Sequence, residues 1–203
     1  MTEAEARAWI AARYGPDKLA LLERYVALLL AANANQNLIS KATEPTICVR
    51  HILDSAQLLR FAPDADRWLD IGSGPGLPGL VIAILTGRPM LLVEPRRKRV
   101  EFLNGAVEKL GLANVRVRQA MVERIQGETF DAVTARAYAP LPDIFSSTIQ
   151  LTTSSTIWIL PKGRSAAREL DAAQQTWQGV FHVEHSLTDD EAQIVVATGI
   201  RPR

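Results

Sequence analysis

The sequence predicts an α/β fold: a doubly wound, mostly parallel seven-stranded sheet that ends in an antiparallel hairpin and is preceded by a helical cap. Three observations predict it. A glycine-rich loop, Asp70-Ile71-Gly72-Ser73-Gly74-Pro75-Gly76-Leu77-Pro78-Gly79, separates the apolar runs 67–71 and 80–85, the strand, loop and helix order that opens a nucleotide-binding βα unit. From Arg67 to Thr176, apolar runs of strand length alternate with helical stretches, which argues for parallel strands covered on both faces. Before that region the periodicity is helical, and after it two β-rich runs follow each other directly. Residues 1–62 are the expected cap and 63–203 the expected main domain.

Taken in order, Thr2 to Arg13 reads as a short amphipathic helix. Thr2 and Glu5 stand in capping-box spacing, and Tyr14-Gly15-Pro16 is its stop. Leu19, Leu22, Tyr25, Val26, Leu29 and Leu30 recur at helical spacing, a stripe suited to packing on a core. Asn33, Asn35, Gln36 and Asn37 close this second helix with turn chemistry. A third helix is predicted from about Thr46 to Leu59, ended by Pro63-Asp64. Strands are predicted at 68–71, 91–94, 115–117, 130–134 and 157–160, with helical runs at 80–85, 97–110, 122–125, 141–151 and 166–176 between them. Residues 180–185 and 192–198, joined by Leu187-Thr188-Asp189-Asp190, read as an antiparallel hairpin at a sheet edge.

Composition narrows the function classes. The chain has 203 residues, 47% of them apolar, enough for one compact core. A net charge of +1 does not announce a nucleic-acid protein, so any such role must rest on local patches. The single cysteine, Cys48, excludes an intramolecular disulfide framework, suits a reducing cytosol and reads as a buried, inert thiol. There is no apolar run of the roughly 18 residues that a membrane span needs, and no apolar signal core follows the charged N-terminus. A cytoplasmic protein with no membrane or DNA partner and no metal site, acting as a monomer, is expected.

Three ligands compete for the glycine loop. A phosphate-cradling P-loop requires Gly-Lys-Ser/Thr at its end, which is absent. Gly74-x-Gly76-x-x-Gly79 fits a dinucleotide. Asp70, Gly72, Gly74 and Gly76 fit the acidic-x-Gly-x-Gly-x-Gly pattern of loops that bind S-adenosylmethionine. Glu94, at the next strand end, is placed to hold ribose hydroxyls of either. The loop by itself leaves both open, along with a purely structural turn. The layout favours the methyl donor: five βα units closed by an antiparallel strand form a class I methyltransferase sheet, and no residues remain for the second domain of a dehydrogenase.

Val49-Arg50-His51-Ile52-Leu53-Asp54-Ser55 lies in the third helical run. Arg50 and Asp54 are at i,i+4 and His51 and Asp54 at i,i+3, so one helix face can carry all three. The plain alternative is a surface ion pair worth a few tenths of a kcal/mol. Asn37-Leu38-Ile39-Ser40, Arg50-His51-Ile52-Leu53-Asp54-Ser55, the loop from Gly72 to Gly79, and Arg136-Ala137 together resemble the signature set of one family over roughly residues 25–165. That family is the glucose-inhibited division protein B group, the 16S rRNA guanine-N7 methyltransferases G.

The resemblance implies S-adenosylmethionine as donor and a guanine near the decoding site of 16S rRNA, or of a small-subunit assembly intermediate, as acceptor. It implies cofactor contacts from Asp70, Gly72, Gly74, Gly76 and Leu77 in the loop, from Glu94 to the ribose, and from Val122 and Glu123 around the adenine. Arg136 is implied at the cofactor or the guanine, with Arg50, His51 and Asp54 on the acceptor side. Lys162-Gly163 resembles the family's Lys-Gly and is a candidate phosphate contact. The chain departs from the family in one place: Met121 stands where relatives commonly carry arginine before the Val-Glu pair, and Arg124 lies beyond it. Arg96-Arg97-Lys98-Arg99 opens a helix, where cations oppose the dipole unless an anion compensates. The commoner explanation of such a run is a solvated helix end; the alternative is a phosphate surface, to which Lys162, Arg164, Arg168, Arg201 and Arg203 would add. Guanine N7 has an in-plane lone pair and no proton to remove, so the lack of an evident triad or metal cluster is no objection.

Overall fold

The computed structural model describes all residues, 1–203. It opens with α1 (Glu3–Tyr14), capped by the Thr2–Glu5 capping box, and α2 (Pro16–Gln36). The third segment differs from the continuous helix predicted. It is a 3₁₀ turn (Lys41–Thr46), a π turn (Cys48–Leu53), the short α3 (Asp54–Ala56) and a further 3₁₀ turn (Gln57–Phe61). Pro45 has no N–H to give to a regular first turn. The Ser55 hydroxyl donates to the His51 carbonyl (2.6 Å) inside the irregular stretch.

The sheet comprises β1 (Trp68–Ile71), β2 (Met90–Val93), β3 (Val115–Arg118), β4 (Ala132–Ala135), β5 (Ile157–Pro161), β6 (Trp177–His185) and β7 (Gln193–Pro202). Its order is β3-β2-β1-β4-β5-β7-β6. The first five strands are parallel, and β7 runs antiparallel to both β5 and β6. Helices α4 (Gly79–Thr86), α5 (Arg97–Leu110), α6 (Leu141–Thr148) and α7 (Ala166–Ala173) make the connections. The run predicted as a helix at 122–125 is one 3₁₀ turn. The hairpin strands are longer than the hydrophobic pattern suggested, β6 starting at Trp177 and β7 running to Pro202, because Gly179 and Gly199 interrupt the apolar runs while Trp177 still pairs with Pro202.

Pleating sends alternate residues of each strand to opposite faces. Trp68 and Leu92 join one core cluster with the cap residues Tyr25, Leu29, Ile52 and Leu53. Leu69, Ile71 and Val133 join the other, with Phe145 and Trp158 in edge-on contact at 5.7 Å. Helix α4 is apolar all round because it is sandwiched between the sheet and the cap. Lys18 Nζ donates to the Ile84 carbonyl (2.6 Å) and Arg24 to the Lys109 carbonyl (2.8 Å), which ties α2 to the helices beneath it. Strand order reverses between β1 and β4, and the crevice outside their carboxyl ends is where such sheets take ligands.

Candidate active site

The loop leaving β1 is a closed system of short contacts. The Gly72 and Ser73 N–H groups both donate to the Val93 carbonyl (2.8 and 3.2 Å), and Gly76 N–H donates to the Ser73 carbonyl (2.7 Å). Gly72, Gly74 and Gly76 have φ of 63°, 55° and 96°, a region that L side chains rarely enter. At Gly72 space matters as well: a Cβ there would lie 2.3 Å from Tyr138 Cδ2. Tyr25 anchors the loop from the cap, its buried hydroxyl donating to the Pro75 carbonyl (2.8 Å).

Glu94 is 2% exposed and clamps the loop to α5. Its Oε2 accepts from Gly74 N–H and its Oε1 from Arg96 N–H, each at 2.9 Å. Arg99 Nη1 stands 3.7 Å away. The basic start of α5 therefore has its compensating anion, which is Glu94. Arg97 pairs with Glu101. Leu77 and Val122 are buried, and Glu123 is exposed.

Asp70 departs from its expected place at the cofactor. It is fully buried beneath the loop, where its Oδ1 accepts from the Thr134 hydroxyl (2.8 Å) and its Oδ2 from Gly79 N–H (3.3 Å). Burial pushes its carboxyl up to about 6 against the opposing pull of Thr134, Ser73, Gly79 and Arg136. It shapes the loop from below and has no face on the cleft.

Beside the loop lies a cleft of about 510 Å³, lined by segments far apart in sequence: Asp54, Arg136–Pro140, Pro161–Gly163, Ser186 and Ala192–Ile194 among them. Arg136 follows β4, and Ala137 after it holds φ of 51°, an unusual value for a residue with a Cβ. Arg136 Nη1–H donates to His51 Nδ1 (3.0 Å). A guanidinium has no acceptor, so Nδ1 is the unprotonated nitrogen. His51 Nε2–H then donates to the Thr43 hydroxyl (2.8 Å), whose own proton goes to the Ser40 carbonyl. Burial first, then the charges of Arg136 and Arg50, push His51 down to about 4, so it is neutral at physiological pH.

Arg50, His51 and Asp54 do not form the predicted single-faced cluster. The π turn is wider than an α turn, and i,i+4 neighbours no longer eclipse. Arg50 pairs instead with Asp189 of the hairpin loop (2.8 Å). Asp54 Oδ1 accepts from Gln57 Nε2 (2.8 Å), the Thr188 hydroxyl (2.8 Å) and the Ser186 hydroxyl (3.4 Å). Lys162 is also placed otherwise than predicted. Its side chain is 8% exposed, and its ammonium donates to the Ala139 carbonyl and pairs with Glu169 (2.9 Å), so it braces the cleft wall and is not free for phosphate. Arg164 pairs with Glu191.

Several site residues were missed in the sequence. Tyr25 looked like one more member of an apolar stripe. Tyr138 follows the Arg-Ala pair and could have been suspected from that adjacency. Gln57, Thr43, Ser186 and Thr188 carry no local signal, since ordinary polar residues acquire a role here only through contacts across the fold.

The family described as GidB, rRNA small subunit methyltransferase G, matches residues 18–193. A ribosomal RNA small subunit methyltransferase G from Sphingopyxis alaskensis is 48% identical, covering 97% of this chain and 86% of its own. One from Erythrobacter litoralis is 44% identical over 98% and 97%. Among solved structures, the O-methyltransferase from Bacillus cereus in complex with SAH superposes with a TM-score of 0.59 at 15% identity, covering 86% and 90% of the two chains. TrmN from Thermus thermophilus gives 0.58 at 19% identity, over 73% and 48%. These two likenesses establish the fold alone.

Proposed function

The chain belongs to the GidB family, the rRNA small subunit methyltransferases G, and from that premise we propose that it transfers a methyl group from S-adenosylmethionine to N7 of a guanine in 16S rRNA near the decoding site. The observation that carries the proposal is a juxtaposition. The Glu94-clamped glycine loop follows β1, the cleft holding Asp54 and Arg136 follows β4 on the other side of the strand-order reversal, and Tyr138 of the cleft lies over Gly72 of the loop.

The residues present fit the donor. Gly72, partly exposed, is where a ligand can approach the loop backbone, while Gly74, Gly76 and the buried Leu77 set the curve beneath it. Glu94 retains lone pairs for a ribose diol beside its two backbone bonds. Val122 offers an apolar wall for adenine, with Glu123 at its rim. S-adenosylmethionine, when bound, supplies an electrophilic methyl group on sulfur. Guanine N7 needs no base, so the chain's task is orientation, which can lower a barrier by about 7–11 kcal/mol. Neutral His51 holds Arg136 through Nδ1 and leaves the rest of its planar fork for a carboxylate or for guanine O6. Arg50 fastens the hairpin to the cap on the acceptor side. Residues 1–62 serve as the cap and 63–203 as the catalytic body, acting as a monomer in the cytoplasm on RNA and not on DNA.

Calorimetry with S-adenosylmethionine, S-adenosylhomocysteine and NAD tests the donor, and binding of the first two without the third is expected. Nucleoside mass spectrometry of rRNA from cells lacking the protein tests the acceptor: one 7-methylguanosine should disappear. NAD binding alone would point to a dinucleotide oxidoreductase. An unchanged modification map with intact RNA binding would point to a non-catalytic RNA-binding domain.

A further inference from the structure

The C-terminal hairpin loop, between His185 and Gln193, reaches the cleft. Ser186 and Thr188 come from this loop and Gln57 from the cap, and all three donate to one oxygen of Asp54. Gln57 is itself pinned, since its Nε2 also donates to Ser186 Oγ (2.9 Å) and its Oε1 accepts from Leu187 N–H (2.7 Å). Arg60 donates to the His185 carbonyl (2.6 Å), which seats the loop on the cap a second time. Three donors on Oδ1 fix the rotation of the carboxylate, while Oδ2 takes no hydrogen bond and Asp54 lines the cleft. A half-buried carboxylate with one saturated and one open oxygen is built to receive N–H donors.

We propose that Asp54, oriented by Gln57, Ser186 and Thr188, selects the acceptor base by accepting from the N1–H and N2–H₂ edge of guanine. This rests on the guanine-N7 reading above. Guanine offers two adjacent donors on the edge away from N7, and the two lone pairs of the open Oδ2 can accept both. Adenine presents the unprotonated N1 there, and that lone pair repels the carboxylate. Alkylation at N7 gives the purine positive charge and makes N1–H a stronger donor, so the contact strengthens toward the transition state. Asp54 touches the base; Gln57, Ser186 and Thr188 are positioning residues.

The test uses the full chain and an rRNA acceptor bearing guanosine, inosine or adenosine at the mapped target position. Inosine keeps N7 and N1–H and lacks only the 2-amino group. The parent protein should lose on the order of tenfold in kcat/KM with inosine and transfer nothing measurable to adenosine. Asp54→Asn should erase the guanosine-over-inosine preference. Thr188→Val, in a half-exposed loop, should narrow it and raise KM more than it lowers kcat, while Thr188→Ser restores it. RNA affinity measured without cofactor should follow the same order. Equal rates on guanosine and inosine, or full discrimination kept by a folded Asp54→Asn, would overturn the proposal and leave the methyltransferase reading standing. No transfer to any acceptor despite cofactor binding would overturn that reading, and this proposal with it.

Discussion

The glycine loop and the cleft beside it share one sheet edge but are built in opposite ways. The loop is nearly contiguous, residues 70–79 clamped by Glu94, and almost all of it is buried. The cleft brings Asp54, Arg136, Lys162 and Ser186 together from four distant segments, and Asp54 and Arg136 in it are partly open to solvent. A loop closed on itself transmits a changed atom into the core. A cleft held by side chains across the fold transmits it into chemistry first. Substitutions in the two regions should therefore fail differently.

The largest effect belongs to the loop. At Gly79 an added Cβ would lie 2.4 Å from Leu92 Cδ2, 2.7 Å from Asp70 Oδ2 and 2.8 Å from Asp70 Cβ, and both side chains are fully buried with little room to turn aside. Gly79→Ala should cost about 3 kcal/mol in urea unfolding. A loss within ~0.5 kcal/mol would mean that the loop is looser than its contacts imply. Next is Glu94→Ala, which strips two N–H groups of their acceptor and removes the ribose partner. Cofactor affinity should weaken by about 2 kcal/mol, read by calorimetry, and an unchanged dissociation constant would separate Glu94 from the cofactor.

Two further tests fall on the seam between the regions. His51, held at about 4 chiefly by burial, binds its proton more weakly folded than unfolded. Its contribution is whole above pH 6.5, the unfolded value, and is lost as pH falls toward 4. Asp70, raised to about 6, runs the other way, stabilising at low pH and losing that contribution as pH rises from 3.8 to 6. His51→Gln should therefore lose about 2 kcal/mol less than the parent on acidification across the histidine window. Parallel stability curves from denaturant titrations would show His51 to be better solvated than the structure has it. Arg136→Lys keeps the charge but loses the fork, and His51 Nδ1 with it. Methyl transfer should drop about tenfold, or ~1.4 kcal/mol, while unfolding moves far less. The reverse pattern would make Arg136 a strut.

The contrast also explains what was legible in sequence. Strand, loop and helix around Gly72 were readable because the geometry is decided within ten residues and demands small side chains at fixed places. The same locality misled at Asp70: an acidic residue at a strand end can face the ligand or the loop's underside, and only the pleat, with Thr134 opposite on β4, decides. Arg50 and Asp54 were paired on α-helical spacing, and the π turn undid it. Lys162 was read as an RNA contact because Glu169, one helical turn into α7, gives no sign in sequence of folding back onto it. Long-range partners such as Thr188 for Asp54 leave no periodic trace at all.

The smallest effect tests whether the hairpin is part of the cleft or merely beside it. Arg50 and Asp189 pair at 2.8 Å with side chains 45% and 32% exposed. An ion pair so open to water contributes about 0.2–1 kcal/mol to stability, and salt screens it further. Arg50→Ala, Asp189→Ala and the double variant form a cycle whose coupling energy in urea unfolding should lie in that range. The informative reading is kinetic. The pair joins the cap, beside His51 and Asp54, to the loop that carries Thr188, so breaking it loosens the seat of the Asp54 carboxylate without touching the Glu94 clamp. Each single variant should raise KM for RNA a few-fold at unchanged cofactor affinity, and the double variant should be no worse than either one, because one contact is being removed twice. Fully active, folded single variants would reduce the pair to a surface ornament of the helix. A matching loss of cofactor affinity would show that loop and cleft are one mechanical unit and that the division drawn between them is wrong.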